Sequence, residues 1–304
     1  MIYNKLGKSD LNVSQLSLGC MSLGTDVKEA QKIIDLATHK GINYLDTADL
    51  YDQGMNEEIV GKVIKDKRKD IILATKVGNH LKEDGSWYWD PSKAYIKEQV
   101  KNSLRKLQTD YIDLYQLHGG TIEDPIDETI EAFEDLVREG IIRYYGISSI
   151  RPNVIKEYVN KSNIISVMMQ YSIFDRRPEE EVLSLLKRNE ISVVTRGTLA
   201  KGMLSSQASS IIENKAKSGY LDHSQSDLYN DVNQLGHLLE EGQTLNGLAI
   251  AYVLAEDPVA SVVAGASSTE QLSDNLNALS QRFESEQISK VKQLIKQYNY
   301  TQHR

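Results

Sequence analysis

The chain has 304 residues, 40% hydrophobic and 26% charged, a soluble globular composition long enough to bury a large core. Its formal net charge of -8 argues against capture by nucleic acid or an anionic membrane. No apolar run would span a bilayer, the polar start lacks the apolar middle of a secretory signal, and one cysteine, Cys20, forms no internal disulfide, so a cytoplasmic protein is expected.

In chain order, residues 1–14 place Gly7 and Asp10 between short apolar pieces and read as a hairpin closing the lower end of the fold. Short β-rich runs then alternate with longer amphipathic ones. The pattern predicts strands over 15–19, 43–46, 71–75, 111–116, 144–147, 165–170, 192–195 and 261–263. The helices between and after them are predicted over 27–40, 56–66, 92–107, 126–139, 152–160, 178–189, 244–256 and 268–280. Asp90-Pro91-Ser92 suits a helix start, and Gly41 and Gly140 suit helix ends. Residues 197–243 form a long insertion after the seventh strand, with an extra helix over 227–241. The stretch 284–298 reads as a terminal helix across the mouth or side. Eight βα pairs predict an α/β protein with one domain over 1–304, a single (β/α)8 TIM barrel. An open doubly wound sheet would carry a G-x-G-x-x-G turn after an early strand, and the sequence has none.

In such a barrel the C-terminal strand ends line one mouth. The second strand there delivers Asp46 and, five residues on, Tyr51; the third delivers Lys76 and the fourth His118. Each residue alone has a plain structural explanation: a cap, a surface lysine, a satisfied histidine, a packed ring. Together at one end of successive strands they form a chemical set. Reduction of a carbonyl by hydride makes an alkoxide, which needs a proton donor and hydrogen-bond donors aimed at its oxygen. Tyrosine is a weak acid whose phenolate a neighbouring ammonium favours. Tyr51 then serves as proton donor, Lys76 as its partner, Asp46 as the anchor of Lys76, and His118 as the group orienting the carbonyl. The cluster Trp87-Tyr88-Trp89 offers an apolar wall for substrate, with Trp87 the candidate. His80, His223, His237 and His303 lack metal-ligand spacing, so no metal is expected.

These segments resemble the aldo-keto reductase superfamily along nearly the whole chain. The resemblance rests on Leu18-Gly19-Cys20-Met21, on Asp46-Thr47-Ala48-Asp49-Leu50-Tyr51 with Asn56-Glu57-Glu58, and on Leu73-Ala74-Thr75-Lys76. It continues through Thr109 to His118, Gly140 to Ser148, and Gly265 to Leu272. It implies a catalytic tetrad of Asp46, Tyr51, Lys76 and His118 and an extended NADPH (NADP+) at the mouth. Ser148, Ser149 and Gln170 would hold the nicotinamide carboxamide, Ser149 standing where many relatives have asparagine. Cys20 and Met21 fall beside the cofactor, Cys20 being either a contact or an inert buried thiol.

Arg196 occupies a position where many relatives stack an aromatic ring on the nicotinamide; its planar guanidinium can stack or hold an anion. The loop carrying Gly197, Leu199, Lys201 and Gly202 is either a pyrophosphate cradle or a structural turn. Gly265, Ser267, Gln271 and Asn275 match positions for the adenine and 2′-phosphate. Ser267 lacks the positive charge that often binds that phosphate, leaving NADH as the alternative; Lys215 or Lys217 supplies the charge or is a surface lysine. Besides an NADP(H)-dependent reductase of aldehydes or ketones, the resemblance allows a slowly turning, cofactor-occupied binding module like potassium-channel β-subunits. No oligomeric state follows.

Overall fold

The computed structural model describes residues 1–304. Strands β1 (Tyr3–Lys5) and β2 (Asn12–Ser14) pair as an antiparallel hairpin ahead of the barrel. The barrel strands are β3 (Leu16–Gly19), β4 (Tyr44–Asp46), β5 (Ile72–Val77), β8 (Ile112–Leu117), β9 (Ile142–Ser148), β10 (Ser166–Gln170), β11 (Ser192–Arg196) and β12 (Val259–Gly265). They run parallel in chain order, and β12 pairs with β3 to close the ring. This is the expected (β/α)8 TIM barrel. Closure leaves the barrel no unpaired strand edge.

Around it lie α1 (Val27–His39), α2 (Met55–Ile64), α3 (Lys93–Leu107), α4 (Ile126–Arg138), α5 (Pro152–Lys161), α6 (Val182–Arg188), α9 (Leu245–Leu254) and α10 (Thr269–Ser280). Side chains begin several of them: Asp26 accepts from the amides of Lys28 and Glu29, and Ser92 from that of Tyr95. The helix expected from 178 starts later, after a 3-10 turn at Arg177–Glu179. No helix is long and apolar enough to cross a membrane.

Two cores result. The larger fills the layer between barrel and helices. The smaller closes the barrel floor, where Leu6, Leu11 and Val13 of the hairpin pack with Tyr44, Leu114 and Val194 of the strands. The floor hairpin expected at the N-terminus is therefore present and buried.

Three departures from the expected pattern lie outside the barrel. The insertion after β11 carries two helices, α7 (Ala208–Lys215) and α8 (Gln225–Gly236), where the periodicity shows only the second. A second hairpin, β6 (Asn79–Leu81) and β7 (Trp87–Trp89), follows β5. The terminal helix α11 (Ser285–Leu294) ends four residues early and packs at the side, on α8 and α9. Beyond it the chain crosses to α5 and the turn before α6: the Asn153 amide donates to the His303 carbonyl (2.9 Å), and Arg304 pairs with Glu180 (2.5 Å).

Candidate active site

Register brings the strand ends level. Asp46 lies opposite Gly19 and Ala74, Lys76 opposite Gln116, Gln170 opposite Arg196, and Gly265 opposite Gly19. The four residues expected to act together are grouped at this rim. Lys76 is fully buried, and its three ammonium protons have three acceptors: Asp46 Oδ1 (2.6 Å), the Thr47 carbonyl (2.7 Å) and Tyr51 Oη (3.3 Å). Gln116 Nε2 donates to the other Asp46 oxygen (3.3 Å). Burial opposes the charge on Lys76, but the Asp46 carboxylate and the hydrogen bonds to Asp46 and Tyr51 more than offset it and raise its pKa above the ordinary value. Burial raises the Asp46 carboxyl, with Lys76 and Gln116 pulling the other way.

His118 meets the Tyr51 ring edge-on, with centroids 5.8 Å apart at 85°. Burial, followed by the positive charges of Lys76 and Arg196, lowers its pKa to about 3. The imidazole is therefore neutral at ordinary pH, a hydrogen-bond donor rather than an acid. Its Nδ1 is buried with no protein partner.

Tyr51 is delivered by a short, stapled loop. Asn56, at the start of α2, accepts from Thr47 Oγ1 (2.7 Å) and donates to the Cys20 carbonyl (2.9 Å) and Asp52 Oδ2 (3.3 Å). Asp52 and Gln53, just after Tyr51, both take left-handed backbone angles, φ 49° and 55°. Outside the strands, Glu57 accepts from Thr75 Oγ1 (2.7 Å), next to Lys76. Asp49 is buried with both carboxylate oxygens lacking a side-chain partner; burial and then the charge of Glu57 push its pKa well up. The sequence pattern gave Asp49, Glu57, Thr47 and Gln116 no task.

The second hairpin reaches the same rim through Trp89. Its indole lies where a Cβ on Gly78 would come within 2.6 Å, and it passes Gly119, the residue after His118. Its Nε1 donates to Asp124 Oδ1 (3.0 Å). Trp87 is 53% exposed, opposite Leu81 and farther out along the hairpin, so the indole nearest the tetrad strands is Trp89.

The remaining candidates form two groups. Ser148 ends β9 and Ser149 follows it, both buried, and Ser149 Oγ accepts from the Arg151 amide (3.2 Å). Beside them Arg196 Nη1 donates to Gln170 Oε1 (3.1 Å), and Lys201 Nζ lies 5.7 Å from the Tyr220 ring centroid. Neither cation is in an ion pair, so this rim suits an anionic ligand. The amides of Ala200 and Gly202 close the turn on Gly197 and Leu199 (2.8 Å each), so that loop is a structural turn first. On the other side Gln271 Oε1 accepts from the amide and hydroxyl of Ser267 (2.9 and 3.0 Å), and Asn275 Nδ2 donates to the Gly265 carbonyl (3.4 Å). A Cβ on Gly265 would come 2.6 Å from Ser22 Oγ. Lys215 and Lys217 are both exposed. Cys20 is fully buried, with burial and then Asp46 raising its thiol pKa, so it is an inert thiol; Met21 is 62% exposed.

A closed parallel barrel with a buried lysine bridging a carboxylate and a phenol at one rim defines a class, the barrel oxidoreductases. The Aldo/keto reductase family model matches residues 15–296, and the chain belongs to that family. It is 58% identical to "Uncharacterized oxidoreductase YqkF" of Bacillus subtilis (strain 168), over 99% of this chain and 98% of that one. Among solved structures it is similar to "aldo-keto reductase AKR11C1 from Bacillus halodurans (holo form)". That match has a TM-score of 0.92 and 56% identity, covering 100% of this chain and 99% of the other. A "Probable voltage-gated potassium channel subunit beta" of Arabidopsis thaliana is 31% identical, over 92% of this chain and 91% of that one.

Proposed function

We propose that the protein reduces aldehydes or ketones to alcohols with NADPH, Tyr51 giving the proton. The observation that carries this reading is the Lys76 ammonium, shared by Asp46 and Tyr51 Oη. Its charge stabilises the phenolate that remains after the proton leaves. Asp46 holds the ammonium, and the Thr47 carbonyl fixes its third proton. The neutral imidazole of His118 donates to the carbonyl oxygen and holds it against Tyr51. The Trp89 indole walls one side of the substrate space.

Bound at this rim, NADPH would supply the hydride. The donor set fits it: Arg196 and Lys201, in no ion pair, would hold its phosphates, Gln170, Ser148 and Ser149 its carboxamide, and Ser267, Gln271 and Asn275 its adenosine end. The uncharged Ser267 makes the preference over NADH a modest one.

The test is NADPH oxidation, followed by absorbance, over a panel of aldehydes and ketones. Tyr51→Phe is expected to bind NADPH as the parent does and to lose at least about 100-fold in turnover, the scale of one general acid. A Phe variant of equal activity removes Tyr51 from that role. No oxidation of NADPH with any carbonyl would favour the channel-subunit type of binding module.

A further inference from the structure

Gln170 is held from three directions. Its Nε2 donates to Asp175 Oδ2 (2.9 Å) and to Tyr220 Oη (3.2 Å), while its Oε1 accepts from Arg196 Nη1 (3.1 Å). On its flank, a Cβ at Gly197 would come 3.3 Å from Gln170 Cγ. An amide flipped end for end would set its oxygen against a carboxylate and its NH2 against a guanidinium, losing two hydrogen bonds and adding two repulsions. Asp175 itself is 1% exposed and fixed. Arg177 grips it with two hydrogen bonds, Nε to Oδ1 (2.7 Å) and Nη2 to Oδ2 (2.8 Å), and the Asp175 amide bonds to the Ser172 carbonyl (3.0 Å). Arg177 in turn lies over the Tyr300 ring of the C-terminal segment, 5.1 Å from its centroid.

We infer that Asp175, backed by Arg177, is a positioning residue that determines which end of the Gln170 amide faces the mouth. The oxygen faces out, so the site selects a ligand group that donates N–H there and rejects one that offers only a carbonyl. This deepens the proposed function and rests on its assignment of Gln170 to the nicotinamide carboxamide. The oxygen has two lone pairs, so it accepts from a carboxamide N–H while keeping Arg196.

The test compares equilibrium binding of three ligands by calorimetry: NADP+, its 3-acetylpyridine analogue, whose methyl ketone has no N–H, and 2′-phospho-ADP-ribose, which lacks the ring. The parent protein is expected to bind NADP+ roughly three- to tenfold tighter than the acetyl analogue, the worth of one hydrogen bond. In Asp175→Asn the neighbouring amide tolerates either orientation of Gln170, and Arg196 alone still favours the outward oxygen. The preference should then shrink while affinity for 2′-phospho-ADP-ribose stays. The double variant Asp175→Asn/Arg177→Met, which buries no unpaired charge, carries the same comparison if the single variant does not fold.

No preference in the parent, an undiminished preference in the variant, or equal weakening of all three ligands would each overturn the inference. A parent chain that binds neither NADP+ nor 2′-phospho-ADP-ribose would instead overturn the proposed function.

Discussion

Lys76 is the residue on which the site depends, because its three protons are spent on an anchor, a backbone oxygen and the proposed acid. Lys76→Met should abolish turnover and leave Asp46 buried and uncompensated, at about 3–5 kcal/mol of stability in denaturant unfolding. Adding Asp46→Asn should recover most of that stability and none of the activity. His118 makes a separate prediction. Its folded pKa of about 3 lies below the ordinary 6.5, so between those values the unfolded chain binds a proton that the folded chain refuses. That residue's contribution is whole above pH 6.5 and is lost as pH falls toward 3, at up to about 1.4 kcal/mol per pH unit. Unfolding free energies of His118→Gln, measured from pH 7 to 3.5, should fall less steeply than those of the parent. The grouping of these four residues was legible in the sequence because Asp46, Lys76 and His118 stand at the ends of apolar runs and Tyr51 follows Asp46 by five residues. The tasks of Asp175 and Gln116 were not, since both depend on where a side chain turns inside an already assembled rim.

The elements that escaped the sequence are short ones whose stability comes from elsewhere. Strands β6 and β7 have three residues each, too few to show a period of two, and aromatic contacts hold them: His80 stacks between Tyr88 and Tyr95, 4.6 and 4.2 Å between centroids. Alternation puts Trp87 and Trp89 on one face of the hairpin, and only position along it separates them. Trp89 sits opposite Asn79 at the barrel rim, whereas Trp87 lies two residues out. Helix α7 has eight residues in a serine-rich stretch, where serine competes for backbone bonds and blurs the helical pattern. By contrast the barrel strands are apolar almost throughout, and all eight were read within a few residues. Gly78 is the hinge on which the hairpin's placement turns, at φ 122° with the Trp89 ring against it. Gly78→Ala should cost roughly 1–3 kcal/mol and shift tryptophan emission to the red as the indole is pushed out. An unchanged emission spectrum would show that the hairpin does not need this glycine.

Over the whole molecule, floor and rim are built differently. The floor is an apolar plug of hairpin and strand residues, while the rim gathers polar groups that the protein itself leaves partly unmatched, among them Asp49, His118 Nδ1 and the cations Arg196 and Lys201. The cations of the rim belong to a chain carrying eight excess negative charges. In dilute buffer an approaching dinucleotide phosphate is repelled by the molecule as a whole. At an ionic strength with a screening length of about 8 Å, it would sense mainly the charges within that distance, and by the proposed function these are Arg196 and Lys201. Salt therefore removes the repulsion of the distant charges first and weakens the short-range pull of the rim less, which narrows the protein's electrostatic face to the rim.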